Sequence, residues 1–160
     1  MIRLVQMEDA PVIAAIYNHY ISHSISTFEL EPIEMAEMAR RIKSISRQYP
    51  YFVYEEDNQL LGYAYASEWK SRKAYLQTVE SSIYLHPEAQ GKGIGTMLYT
   101  RLIDELKTLN IHAVIGGISL PNEASIALHE KLGFEKIGQF KEVGRKFDKW
   151  VDVGYWELVL

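Results

Sequence analysis

VESSIYLHPEAQGKGIGTMLYTRLIDELKTL, residues 79–109, is the stretch whose reading decides the fold. Val79 to Leu85 mixes β-branched and aromatic residues, as a strand does. His86-Pro87 ends it, because proline has no N–H for a ladder and restricts the residue before it. Gln90-Gly91-Lys92-Gly93-Ile94-Gly95 follows as a loop and first helical turn. Apolar residues then fall at 94, 97, 98, 102, 103, 106 and 109, which is helical spacing. A strand that runs through glycines into a helix start presents bare N–H groups at a positive dipole end, a site for phosphate. Gly91, Gly93 and Gly95 let the backbone approach a bulky anion with no side chain in the way.

Outward from that stretch, the chain reads as a mixed α/β fold. Ile2 to Val5 is a short first strand, and Asp9 caps a helix over Ala10–Ile21 with Val12, Ile13, Ile16, Tyr17 and Tyr20 as its inner stripe. Ser22 to Pro32 is a loop, and a second helix covers Ile33–Ile45. Tyr51–Glu55 and Leu60–Trp69 form strands about a turn at Asp57-Asn58. Lys70 to Lys73 is a basic turn, and Ala74–Leu85 is the next strand. Beyond the glycine loop, Ala113–Ile118 is a strand. Asn122 caps a helix that Gly133 closes, and Phe134–Val143 and Trp150–Leu158 are the last strands. Hairpins come early and strand–helix alternation late, which predicts a mixed central sheet of about seven strands with about four helices on its faces.

The whole chain bounds the function. Its 160 residues are most simply one domain, 1–160, and 48% apolar with 24% charged residues is a globular profile. No 18-residue apolar run predicts a membrane span, and the N-terminus lacks the pattern of a signal peptide, so a cytoplasmic protein is expected. The absence of cysteine excludes disulfides, thiolate metal sites and an acyl-cysteine intermediate. A net charge of −4 disfavours general nucleic-acid binding. An anionic cofactor must then rely on local N–H groups and a few lysines. His19, His23, His86 and His112 do not suggest a metal set, and no metal is expected.

The loop is neither of the two best-known phosphate cradles. G-x-x-x-x-G-K-S/T fails, because Gly93 follows Lys92, and G-x-G-x-x-G fails at Thr96. The fitting pattern is Q-x-x-G-x-G after a strand, on Gln90, Gly93 and Gly95. It resembles motif A of the GNAT superfamily of N-acetyltransferases, which cradles the pyrophosphate of acetyl-CoA. Leu120 to Phe134, LPNEASIALHEKLGF, is similar to the second cofactor helix of that superfamily. The chain resembles phosphinothricin and methionine sulfoximine acetyltransferases nearly end to end. The matching runs are Ile16 to Tyr20, Thr27 to Glu29, Gly62 to Tyr65, Arg72-x-Ala74-Tyr75, Thr78 to Glu80, Leu120 to Asn122, Leu128 to Glu130, and Trp150-x-Asp152 to Trp156. It departs from them at Phe147 and Val151, where the last segment of that family tends to carry histidines near the substrate side.

The resemblance implies a mechanism and its residues. Backbone groups of Ile83 and Leu85 would pair with pantetheine. Gln90, Gly91, Lys92, Gly93, Ile94, Gly95 and Thr96 would hold the pyrophosphate, and Asn122 and Ser125 would add contacts from the next helix. Glu80 matches the catalytic glutamate of the family. It sits three residues before Ile83, so the two point to opposite faces of the strand. An α-amino group titrates near 8, so a base need remove the proton only modestly. A structural ion pair with Arg72 or a lysine is the alternative reading of Glu80. His129 stands where many members place a tyrosine that protonates the departing sulfur, and a structural histidine is the alternative there. Arg72, Tyr75 and Phe28 are acceptor candidates, because arginine grips carboxylates and phosphinates bidentately. The expected function is acetyl transfer from acetyl-CoA to the α-amino group of a small amino-acid-like acceptor, by direct attack in a ternary complex. A polyamine or protein N-terminus as acceptor, or a non-catalytic acyl-CoA sensor, stays open. The resemblance also implies a homodimer joined through the late aromatic strands.

Overall fold

The computed structural model describes residues 1–160. Its strands are β1 (Ile2–Leu4), β2 (Tyr51–Glu56), β3 (Gln59–Glu68), β4 (Thr78–Leu85), β5 (Ala113–Leu120), β6 (Glu135–Lys146) and β7 (Lys149–Val159). Its helices are α1 (Ala10–His23), α2 (Met35–Ser46), α3 (Ile94–Thr108) and α4 (Glu123–Lys131). The seven strands form one sheet in the order β1-β2-β3-β4-β5-β7-β6. Every neighbouring pair is antiparallel except β4 and β5. That parallel pair is short: Thr78, Val79 and Glu80 face Ala113, Val114 and Ile115, and the ladder stops there. β4 stays paired with β3 as far as Leu85, and β5 with β7 as far as Leu120. The two strands therefore diverge beyond Glu80, leaving a slot with unpaired backbone edges in the middle of the sheet.

Alternation along β4 assigns the faces. Val79 packs with Leu98, Leu102 and Leu106 of α3 in the larger core, which also takes Ile118 and Trp156. Tyr84 points the other way, against Tyr17 and Tyr20 of α1 and Tyr63 of β3. The smaller core lies on that side, between α1, α2 and strands β2 and β3. Glu80 and Tyr84 share a face, so Glu80 looks toward the α1–α2 side.

The structure corrects several boundaries. The strand expected from Ala74 begins only at Thr78, and Lys73–Tyr75 is a single 3-10 turn. β3 ends at Glu68, opposite Val79, so no partner strand reaches Ala74 to Leu76, and Leu76 lies exposed. Asp9 occupies the cap position of α1 but does not cap it. Its carboxylate takes both guanidinium nitrogens of Arg3 at 2.8 Å and the Gln6 N–H at 2.7 Å. Val12 faces solvent, as do Met97 and Leu109 of the α3 stripe, whereas Tyr99 of α3 is wholly buried. No helix is long and apolar enough to cross a membrane.

Candidate active site

The α3 N-terminus is built as the sequence predicts, with one added constraint. Gly91 and Gly93 adopt φ +75° and +79°, and a Cβ at either would meet nothing within 4 Å. These are left-handed positions that turn the chain sharply while leaving its outer side open. The first backbone bond of the helix runs from Met97 N–H to Gly93 O at 3.1 Å, and no side chain caps the end. The N–H groups of Ile94, Gly95 and Thr96 thus have no acceptor in the protein. Ile94 is buried in the core, and a Cβ at Gly95 would face Leu85 and Leu128 at 3.4 and 3.5 Å, so both can serve an anion only through backbone. Lys92 is exposed and in no ion pair, free to add a point charge. Gln90 is used differently from the expectation. Its Nε2 donates to Tyr20 Oη at 3.2 Å, and Tyr20 Oη donates to the Leu85 carbonyl at 2.6 Å. The tyrosine thereby ties the loop to the end of β4.

These features fit an extended diphosphate-bearing thioester. Bare N–H groups would receive the diphosphate, and the free edge of β4 beyond Glu80, Ile83 included, would pair with the amide-rich arm. Asn122 flanks the slot from the other side. Its Oδ1 accepts the Ser125 N–H at 3.1 Å as a helix cap, and its Nδ2 reaches Ser26 Oγ at 3.5 Å. Ser125 Oγ lies 3.5 Å from His129 Nδ1.

Glu80 sits where the slot opens. Its carboxylate has no ion pair and no hydrogen bond within the protein, so the alternative of a pair with Arg72 does not hold. Burial pushes its pKa up from 4.5, and no cation offsets that effect. A Cβ on Gly117 of β5 would lie 3.6 Å from Glu80 Oε1 and 3.3 Å from the Tyr155 ring, so the bare glycine keeps space open beside the carboxylate. Tyr155 stands edge-on to Trp69 at 5.7 Å and to Phe140 at 5.8 Å, forming an aromatic wall there. The sequence reading missed this wall, although strand alternation places Gly117 and Tyr155 opposite each other.

His129 is 4% exposed and closed in on both sides. Nδ1–H donates to the Ser125 carbonyl at 2.7 Å, and Nε2 accepts from the Tyr99 hydroxyl at 2.9 Å. Ser81 Oγ bonds Tyr99 Oη and also reaches Ile115 O at 3.4 Å, which ends the chain on the sheet. Burial lowers the His129 pKa, so the ring is held neutral. It lies on Gly116, where a Cβ would come within 2.6 Å of Nε2. A ring so held has no free N–H to hand to a sulfur.

The acceptor candidates lie on separate elements. Phe28 lies on the α1–α2 segment with its ring against the Gly144 backbone of β6. Arg72 precedes the exposed 3-10 turn and Tyr75 is its last residue, so neither opens a strand, and Arg72 has no ion pair. Beside Phe28, Glu29 accepts both Arg41 guanidinium nitrogens at 2.7 Å and the Tyr17 hydroxyl.

A three-residue parallel seam, a slot beyond it and an uncapped glycine-led helix suit an extended ligand that carries an anionic group. The chain belongs to the GNAT acetyltransferase family: the model of the acetyltransferase (GNAT) domain matches residues 2–154. It is an acetyl-CoA-dependent N-acetyltransferase. It is 38% identical over 157 residues to a phosphinothricin N-acetyltransferase of Streptomyces coelicolor, covering 96% of this chain and 92% of that one. It is 37% identical over 164 residues to an L-methionine sulfoximine/L-methionine sulfone acetyltransferase of Salmonella typhimurium, covering 99% and 94%. The crystal structure of a phosphinothricin acetyltransferase from Sinorhizobium meliloti in complex with acetyl-CoA superposes with a TM-score of 0.97 at 39% identity, covering 100% of this chain and 88% of that one.

Proposed function

We propose that this single-domain protein acetylates the α-amino group of a small amino-acid-like acceptor, phosphinothricin, methionine sulfoximine or an analogue, by direct attack in a ternary complex. The observation that carries the reading is Glu80, an unpartnered, desolvated carboxylate at the point where β4 and β5 part. On this reading Glu80 takes the proton from the incoming ammonium, directly or through water, and the neutral amine attacks the thioester carbonyl. Gly117 and Tyr155 leave and wall the space in which the amine arrives. Arg72, Tyr75 and Phe28 would meet the rest of the acceptor, and Arg72 is the unpaired cation suited to an anionic group. The N–H groups of Gly91–Thr96 with Lys92, the edge of β4 at Ile83 and Leu85, and Asn122 with Ser125 would hold the coenzyme. His129 holds α4 against α3 and β5 instead of acting as an acid. A thiol with a pKa near 8.5 leaves as thiolate at neutral pH without an obligatory proton donor.

The identities of the relatives supply the acceptor class for this reading. The protein would work in the cytoplasm, where acetyl-CoA is supplied. It would do so as a homodimer, joined through the exposed apolar residues Ile137, Phe140, Val143, Phe147 and Trp150 of the β6–β7 hairpin; light scattering on the eluted protein tests the dimer. The deciding assay follows thiol release from acetyl-CoA with phosphinothricin, methionine sulfoximine, methionine sulfone, common amino acids and spermidine. Saturable release with the first three supports the reading. Release only with spermidine or a peptide overturns the acceptor class, and tight coenzyme binding with no release points to a sensor.

A further inference from the structure

Lys146, the last residue of β6, is 3% exposed, and no carboxylate pairs with it. Its ammonium donates instead to three backbone carbonyls: Ser24 O at 2.6 Å, Thr27 O at 2.8 Å and Tyr20 O at 3.4 Å. Tyr20 lies in the last turn of α1 and Ser24 is its C-cap, where the negative dipole end favours a cation, although the Tyr20 carbonyl also accepts the Ser24 N–H at 3.0 Å. Burial lowers the Lys146 pKa, and nothing in the acetyl-transfer chemistry uses the group. A buried cation is costly to keep unless all its protons are satisfied, and here three donors meet three acceptors.

What the lysine holds is the segment Ser24–Glu29, which no strand pairs with. The same segment bridges the slot. Tyr84 of β4 donates to Ser26 O at 3.4 Å, and Asn122, just beyond β5, donates to Ser26 Oγ at 3.5 Å. Tyr84 shares its face with Glu80, so the segment lies over the carboxylate's side of the sheet. Its Phe28 ring rests on Gly144, two residues before Lys146 on β6, where even a methyl group would collide at 2.3 Å.

We infer that Lys146 is a positioning residue for the acceptor side: by gathering the Tyr20, Ser24 and Thr27 carbonyls it fixes Ser24–Glu29 across the slot and seats Phe28 on β6 as the acceptor's wall. This rests on the acceptor reading above. The β6–β7 hairpin then governs acceptor affinity without touching the acceptor, while the coenzyme, held mainly by the α3 N-terminus and the β4 edge, meets this part of the chain only through Asn122 and the Tyr20 hydroxyl and feels it less.

The test compares wild type with Lys146→Met, which keeps length and removes the donors. The acceptor KM should rise about tenfold, with the acetyl-CoA KM within twofold of wild type. A purely structural role would lower the melting temperature and move neither KM selectively. Because the chain has no cysteine, Lys146→Cys gives a single thiol. Alkylating it with 2-bromoethylamine in denaturant and refolding restores an ammonium at lysine length, and should restore the acceptor KM. Should Lys146→Met fail to fold, Gly144→Ala displaces Phe28 with the ammonium intact, and the same split is expected. An acceptor KM within twofold of wild type in either folded variant overturns the inference. If wild-type protein turns over no acceptor on the panel, the acceptor reading fails by itself. Amide exchange then decides on Lys146: its replacement should strip protection from residues 24–29, and unchanged protection overturns the inference.

Discussion

Gly116 and Gly117 are neighbours on one strand, yet a methyl group at each meets opposite faces and should fail differently. A Cβ at Gly116 would lie 2.6 Å from His129 Nε2 and 2.7 Å from Cδ2. Ordinary contact is about 3.5 Å, so the ring must retreat by about 1 Å. It cannot do so freely, because its nitrogens are bound at 2.7 Å to Ser125 O and 2.9 Å to Tyr99 Oη. Overpacking costs about 1–3 kcal/mol and a strained or broken buried hydrogen bond about 1–3 more. Alanine recovers about 0.5–1 kcal/mol over glycine in a strand. The net loss for Gly116→Ala is about 1–5.5 kcal/mol, a fall of about 2–22 °C in melting temperature for a chain of this length. At Gly117 the nearest atoms are 3.3 and 3.6 Å away, so Gly117→Ala should stay within about 1 kcal/mol of wild type. Its methyl, however, stands beside Glu80 and narrows the amine's approach, so kcat/KM should fall at least about tenfold, about 1.4 kcal/mol. Thermal melts and steady-state kinetics on both variants decide the matter. If Gly116→Ala melts within about 2 °C of wild type, or Gly117→Ala is the less stable of the two and fully active, the two-faced account of β5 is wrong.

Glu80→Gln should lower kcat by about 10²–10⁴-fold, the usual worth of a general base. The acid limb of the wild-type rate profile should lie above the ordinary carboxylate value of 4.5, because the pKa is raised. The sign for stability is opposite. A raised pKa in the fold means that ionised Glu80 destabilises, fully so above the raised value and not at all below 4.5, so Glu80→Gln should melt higher than wild type at pH 8 and lose that advantage near pH 4. For His129, whose pKa is lowered, the neutral ring stabilises above 6.5, and that stability drains as pH falls from 6.5 toward the lowered value. Denaturant titrations should show a shallower pH slope there in His129→Gln. Gly93→Ala forces a side chain into φ +79° and should raise the KM for acetyl-CoA about tenfold while sparing the acceptor KM. An unchanged coenzyme KM would remove the glycine loop from the site.

The order of elements and the glycine-led start of α3 were legible because they rest on local chemistry, period and breaker residues, whereas Glu80 stood out through its place in a strand and through the resemblance. Tyr99 was missed because it lies one position off an apolar stripe read as the buried face, and its hydroxyl is satisfied only by Ser81 and His129 from other elements. His129 read as an acid or a structural histidine, and the sequence could not decide because the Tyr99 hydroxyl that meets its ring comes from another helix. Ala74 to Leu76 read as strand because alternation cannot reveal that the partner strand has ended. Nothing local singles out Lys146, since its three carbonyls lie more than a hundred residues upstream.

The seam between β4 and β5 has a consequence for cohesion. The strands on its two sides hold each other edge to edge through only three residue pairs, Thr78–Ala113, Val79–Val114 and Glu80–Ile115. Further adhesion comes from α3, whose leucines reach Val79 on one half and whose Tyr99 reaches His129 beside the other, and from Ser26, which meets Tyr84 on one side and Asn122 on the other. On the proposed reading, a molecule lying in the slot with amides along β4 would take the place of the missing rungs. The thioester would then be part of the masonry while it is being consumed, and the protein would be most firmly knit with the coenzyme bound and loosest once it has let go of its product.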